Sequence, residues 1–114
     1  MVARDLSNGS RIVGTVGIHR RAGSESTVGE ISRLRVIRGY EGQGIARILN
    51  DEAERLAKEE LKCEKIVVVT YPRVFPRSHR LYERRGYRLV RDRNGGGYYP
   101  GLFWIENLLE KFII

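Results

Sequence analysis

Apolar residues at 45, 48, 49, 53, 56, 57 and 61 recur at intervals of three and four. That spacing places them on one face of a helix. Glu52, Glu54, Lys58, Glu59 and Glu60 fall outside the stripe and define its wet side. Before the helix the pattern is different. "RIVGTVGIH" (Arg11 to His19) is β-branched and follows Asn8-Gly9, a pair suited to a tight hairpin turn. Met1 to Arg4 and Arg11 to His19 are therefore predicted to be paired strands. "VGEISRLRVI" (Val28 to Ile37) predicts a third strand whose alternation breaks: Ile31 has one parity, Leu34 and Val36 the other. A change of parity within a strand predicts a β-bulge.

After the helix, "KIVVVT" (Lys65 to Thr70) is an unbroken apolar run, as in a strand buried on both faces. "YPRVFP" reads as a loop, and "RSHRLYERRG" as a short helix closed by Gly86. "YRLVRDR" predicts a strand and "NGGG" a turn. The final "LFWIENLLEKFII" is expected to be strand in at least its first half, with Leu108 to Ile114 open to either strand or helix. The order β, β, β, α, β, α, β, with an apolar last element, predicts an α/β chain with a mixed sheet. Two crossover helices imply parallel pairing in its later part. There is no internal repeat or linker, so residues 1–114 are expected to form a single domain.

Composition adds little to this until charge is considered. The 114 residues are 41% hydrophobic and 31% charged, which fits a soluble globular chain. No apolar run approaches the roughly 20 residues of a membrane span. No apolar signal region opens the sequence, and the single Cys63 has no internal partner, so a cytoplasmic setting is expected. A net charge of +7 favours an anionic ligand. The sign alone fits a phosphorylated small molecule, nucleic acid or an acidic surface.

The chemistry concentrates between strand and helix. Glu41-Gly42-Gln43-Gly44-Ile45-Ala46 leads straight into the predicted helix. Free backbone N–H groups at a helix N-terminus attract phosphate oxygens, and glycines let a ligand approach the backbone. No Gly-Lys-Ser/Thr follows, so a P-loop is excluded, and the spacing is not that of a dinucleotide fingerprint.

A second segment, Leu81-Tyr82-Glu83-Arg84-Arg85-Gly86-Tyr87, follows the buried strand. The two segments, in this order and with these elements between them, resemble the GNAT superfamily of N-acetyltransferases from Arg11 to Val90. The resemblance implies a GNAT-like fold and acetyl-CoA as donor to an amine acceptor. It implies that the pyrophosphate sits on the main chain of Glu41, Gly42, Gln43, Gly44, Ile45 and Ala46, with Arg47 beside it. The pantetheine arm would lie along Leu34, Val36 and Ile37, next to a splayed strand where the parity break falls. The N–H near Val36 would polarise the thioester carbonyl, and Tyr82 would be the general acid.

Two features depart from the family pattern. Glu41 stands where Arg or Gln is usual, with Arg38 and Arg47 at hand to offset it. Met1 falls near the second strand of the usual order, so the chain is expected to lack the first strand and helices. That implies exposed apolar surface and a homodimer built from Leu102 to Ile114 and the early strands.

Amine attack also needs a base. Glu30 is the leading candidate and His19 a weaker one, while His79 is expected in solvent. No Cys/His cluster points to a metal. Two other readings stay open: an acyl-CoA-binding chain without efficient turnover, and a basic nucleic-acid-binding module centred on "YPRVFPRSHRLYERRGYRLVRDR". The second ranks last, because CoA is itself a polyanion.

Overall fold

The computed structural model describes residues 1–73, 75–96 and 103–113, with the backbone alone at 91–96 and 103–106. Its elements are β1 (Val2–Asp5), β2 (Arg11–Arg20), β3 (Val28–Val36), α1 (Ile45–Glu59), β4 (Lys65–Thr70), α2 (Pro76–Arg84), β5 (Arg88–Gly96) and β6 (Phe103–Phe112). The fold is a mixed α and β one, as the sequence predicts. Two compact units divide it, Met1–Ile66 with 113–114, and Val67–Phe112.

In the first unit β1 and β2 form the predicted hairpin, antiparallel, with Asn8 and Gly9 in the connection. β2 pairs antiparallel with β3 in turn. The predicted bulge is there. Thr15 faces Arg35 while Gly17 faces Ser32, so β3 spends one more residue than β2 over the same span. Arg33 takes the strain with φ of 54°, and the Thr15 hydroxyl donates to its carbonyl at 3.0 Å. On either side of the bulge Ile31 and Leu34 are both buried, which explains the broken alternation.

α1 packs on β2 and β3. Its approach is set by Gly14, where an added Cβ would lie 2.9 Å from Leu49 Cδ1 and 3.2 Å from the Arg35 carbonyl. The buried face is centred on Leu49, Asn50, Ala53 and Ala57. That corrects one position of the predicted stripe: Ile48 is 60% exposed. At 100° per residue Ile48 lies about 140° from Ala53 and about 180° from Ala57, whereas Asn50 lies within about 60° of both. Asn50 donates to Glu54 at 3.2 Å.

In the second unit β6 stands between β4 and β5. The crossover helix α2 left this strand order open. β6 runs antiparallel to β5, from Arg88 opposite Glu110 to Gly96 opposite Phe103. The last segment is thus a strand through Phe112, and Leu109 and Asn107 are buried in it. The "NGGG" turn is also corrected at its start, since Asn94, Gly95 and Gly96 pair within β5. Residue 97 lies outside the described residues, as do Leu102 and Ile114 of the expected dimer segment. α2 ends as predicted, before Gly86 at φ of 91°.

Candidate active site

In the first unit, the turn from β3 into α1 is built from three main-chain constraints. Ile37 donates to the Val13 carbonyl at 2.9 Å and accepts from the Tyr40 amide at 3.1 Å. Gly42 and Gly44 then take φ of 78° and 82°, a left-handed conformation that costs a side-chain-bearing residue about 1 kcal/mol or more. Gly44 is itself the N-cap of α1, and no side chain caps the helix. The first turn of α1 carries no acidic residue. The leading amides therefore point outward without a cap, the arrangement that binds phosphate oxygens.

The cradle is open. An added Cβ at Gly42 would meet nothing within 4 Å, and at Gly44 only the Arg47 Nη2, 3.7 Å away. Arg47 thus brings its guanidinium back to the Gly44 end of the helix. Glu41 and Gln43 are exposed, and Ile45 and Ala46 are half-buried at the rim. The donor set fits a pyrophosphate: backbone amides first, a guanidinium second, and a small residue at 46 that leaves room. Along β3, Leu34 is buried and Val36 half-buried. Ile37 has both main-chain groups engaged, so it has no amide to offer a ligand.

Glu30 and His19 are brought together. They face each other in the β2–β3 register, with Glu30 Oε2 3.2 Å from His19 Nε2 and Oε1 3.8 Å from Arg21 Nη1. Two residues on, Ser32 is opposite Gly17, where a Cβ would come within 2.7 Å of the Ser32 Oγ. Glycine at 17 is what lets that hydroxyl lie close to the strand beside the bulge.

Tyr82 belongs to the second unit. It is buried on α2, and its ring meets Tyr87 edge-on at 5.2 Å between centroids. Lys111 lies 5.7 Å above the Tyr87 ring. His79 corrects the expectation of a solvated side chain. Its Nδ1 is 2.9 Å from the Thr70 hydroxyl, which ties α2 to the end of β4, and its Nε2 is 3.3 Å from Glu83 one turn along α2. Cys63 is buried, and burial pushes its thiol up, against the weaker opposing pull of Arg20. Among the described residues no group of three His, Cys, Asp or Glu could hold a metal ion, and no helix is long and apolar enough to cross a membrane.

One contact had no signal in the sequence. The Tyr40 hydroxyl donates to Asp5 Oδ2 at 2.7 Å, across 35 positions of chain. Neither a turn residue nor an isolated tyrosine announces its partner, and only the folded hairpin brings them together.

This geometry has counterparts. The Acetyltransferase (GNAT) family matches residues 2–87. The chain belongs to that family. Three solved structures share its fold. YncA of Salmonella typhimurium, solved with its cofactor acetyl-CoA, superposes with a TM-score of 0.79 at 15% identity, over 94% of this chain and 61% of that one. NAA60 of Arabidopsis thaliana, solved with a bisubstrate analogue, gives 0.75 at 23%, over 95% and 69%. Mutant forms of the Vibrio cholerae spermidine/spermine N-acetyltransferase SpeG give 0.79 at 18%, over 98% and 64%. At these identities the likeness concerns the fold, and the chain spans 61% to 69% of those proteins' lengths. A search by sequence among curated proteins finds no match.

Proposed function

We propose that this chain transfers the acetyl group of acetyl-CoA to a primary amine by direct attack. The observation that carries this reading is the junction of β3 and α1. A bulge at Arg33 is followed by an uncapped helix entered through left-handed Gly42 and Gly44. The amides from Gly42 to Arg47 hold the pyrophosphate, and the Arg47 guanidinium adds a charge-assisted contact. Leu34 and Val36 line the path of the pantetheine arm, and the Val36 amide polarises the thioester carbonyl. Glu41, exposed at the mouth, weakens the site by the roughly 0–1 kcal/mol of an exposed charge contact and does not close it.

Acetyl-CoA supplies an acyl carbon already activated as a thioester. The amine nitrogen forms a bond to that carbon as the carbon–sulfur bond breaks. Before attack the ammonium gives one proton to Glu30, with His19 and Arg21 holding the carboxylate in place, and the second nitrogen proton leaves to water as the amide forms. Tyr82 gives its phenolic proton to the departing thiolate as the general acid. A chain that binds acyl-CoA without turnover would use the same cradle, and the two are separated by a transfer assay. Spermidine, named for the Vibrio cholerae relative, and lysine are suitable first acceptors.

The setting we propose is cytoplasmic. We also propose a homodimer, now resting on β1. This short edge strand leaves Val2 exposed, with Leu6 and Ile12 beside it. β6 is taken up within its own unit and is less suited to exchange. Sedimentation at micromolar concentration tests the dimer, and a monomer would refute it. Calorimetric titration with acetyl-CoA tests the function, and absence of binding would refute that.

A further inference from the structure

The cradle is held at one end by α1. Its other end has a tether outside the loop. Tyr40 immediately precedes Glu41 and donates its hydroxyl to Asp5 Oδ2 at 2.7 Å. Asp5 closes β1 and is itself fixed, because its Oδ1 accepts from the Ser7 amide at 2.9 Å and the Ser7 hydroxyl at 2.6 Å. Asn8 adds a longer contact, Nδ2 to the Tyr40 hydroxyl at 3.4 Å. The carboxylate thus holds the β1–β2 connection with one oxygen and the loop into α1 with the other. These bonds hold the Asp5 carboxyl below its ordinary range, the Ser7 hydroxyl first and Tyr40 next.

Between Ile37 and α1, the side chain of Tyr40 makes the described hydrogen bonds that reach outside the loop. Gly39, Gly42 and Gly44, all at positive φ, have no side chain to anchor them. A loop with three such residues has many conformations, and ordering it on binding costs affinity. A tether at its start removes part of that cost beforehand.

We propose that the Tyr40–Asp5 hydrogen bond is a positioning latch that pre-orders the phosphate cradle, so that the β1–β2 connection sets the affinity for CoA. This deepens the function proposed above and rests on it. Tyr40 and Asp5 touch no ligand in this account and act through the amides that follow them.

The proposal has a sign that simple electrostatics does not share. Asp5 is an anion near a site for anions. By charge alone, removing it would tighten CoA binding. By the latch, removing it loosens binding, because the loop loses its tether.

The experiment is calorimetric titration of the full chain with CoA, for the unaltered protein and for Tyr40→Phe, Asp5→Ala and the double variant. The latch predicts a three- to tenfold weaker Kd for each single variant. It predicts a double variant no weaker than the worse single, since both remove one interaction. Tyr40→Phe deletes one oxygen on a half-buried ring, so it gives a decisive result even if Asp5→Ala fails to fold. Tighter binding by Asp5→Ala, or unchanged binding by Tyr40→Phe, overturns the latch. Additive losses do so as well. Failure of the unaltered chain to bind CoA would instead overturn the function on which the latch rests, and the latch with it.

Discussion

His19 and Glu30 face each other across the β2–β3 pair, with 3.2 Å between Nε2 and Oε2. A carboxylate so held has a fixed direction, which a base needs. Glu30→Gln keeps the shape and removes the proton acceptor. With spermidine or lysine as acceptor, kcat/KM is expected to fall by about 10²-fold, the low end of general-base contributions. CoA affinity should stay the same. Full activity in this variant would reduce Glu30 to an ion-pair partner for His19 and Arg21.

Tyr82 is tested by the same split between chemistry and binding. Tyr82→Phe keeps the buried ring and its edge-on contact with Tyr87. Loss of the proton donor should lower kcat by about 10²–10⁴-fold. An unchanged rate would assign Tyr82 to packing.

Gly14 decides how closely α1 approaches the sheet. A methyl there would meet Leu49 Cδ1 at 2.9 Å, which can shift, and the Arg35 carbonyl at 3.2 Å, which cannot easily. Gly14→Ala is expected to destabilise the fold by about 1–3 kcal/mol, the usual cost of overpacking. Chemical denaturation would measure it, and a neutral result would mean that the β2–β3 pair yields readily.

The Asp5 carboxyl gives a pH dependence of known sign. Its folded pKa is held below the ordinary 3.8, by Ser7 and then by Tyr40. The group therefore contributes stability above that value, and the contribution is lost as pH falls through the lower folded pKa. Following the Tyr40 ring resonances from pH 6 to 2 should show the tie intact at pH 5 and released only in strong acid. Release near pH 6 would contradict it.

Much of this was legible in the sequence where one residue's chemistry decides the outcome. The parity break between Ile31 and Leu34 predicts the bulge, because burial on one face leaves no other way to place both side chains. Gly42 and Gly44 before an apolar stripe predict the uncapped helix entry. What failed depends on partners distant in sequence. Ile48 is one turn from Ile45 but points away from Ala53 and Ala57, and only the sheet selects which arc of the helix is buried. The order β4, β6, β5 could not be read from α2, since a crossover helix does not say what a later strand will insert beside. His79 has polar neighbours in sequence, and its half-buried place between Thr70 and Glu83 comes from the fold. The Tyr40–Asp5 tie was invisible for the same reason.

The central claim is that the β3–α1 junction binds acetyl-CoA through its backbone. Titration of the unaltered chain and of Gly44→Val, each checked for an intact fold, tests it most directly. Valine at φ of 82° is strained and would place bulk where phosphate oxygens must approach. The unaltered chain should bind, and the variant should bind at least tenfold more weakly, about 1.4 kcal/mol. Equal affinity in a folded Gly44→Val would contradict it.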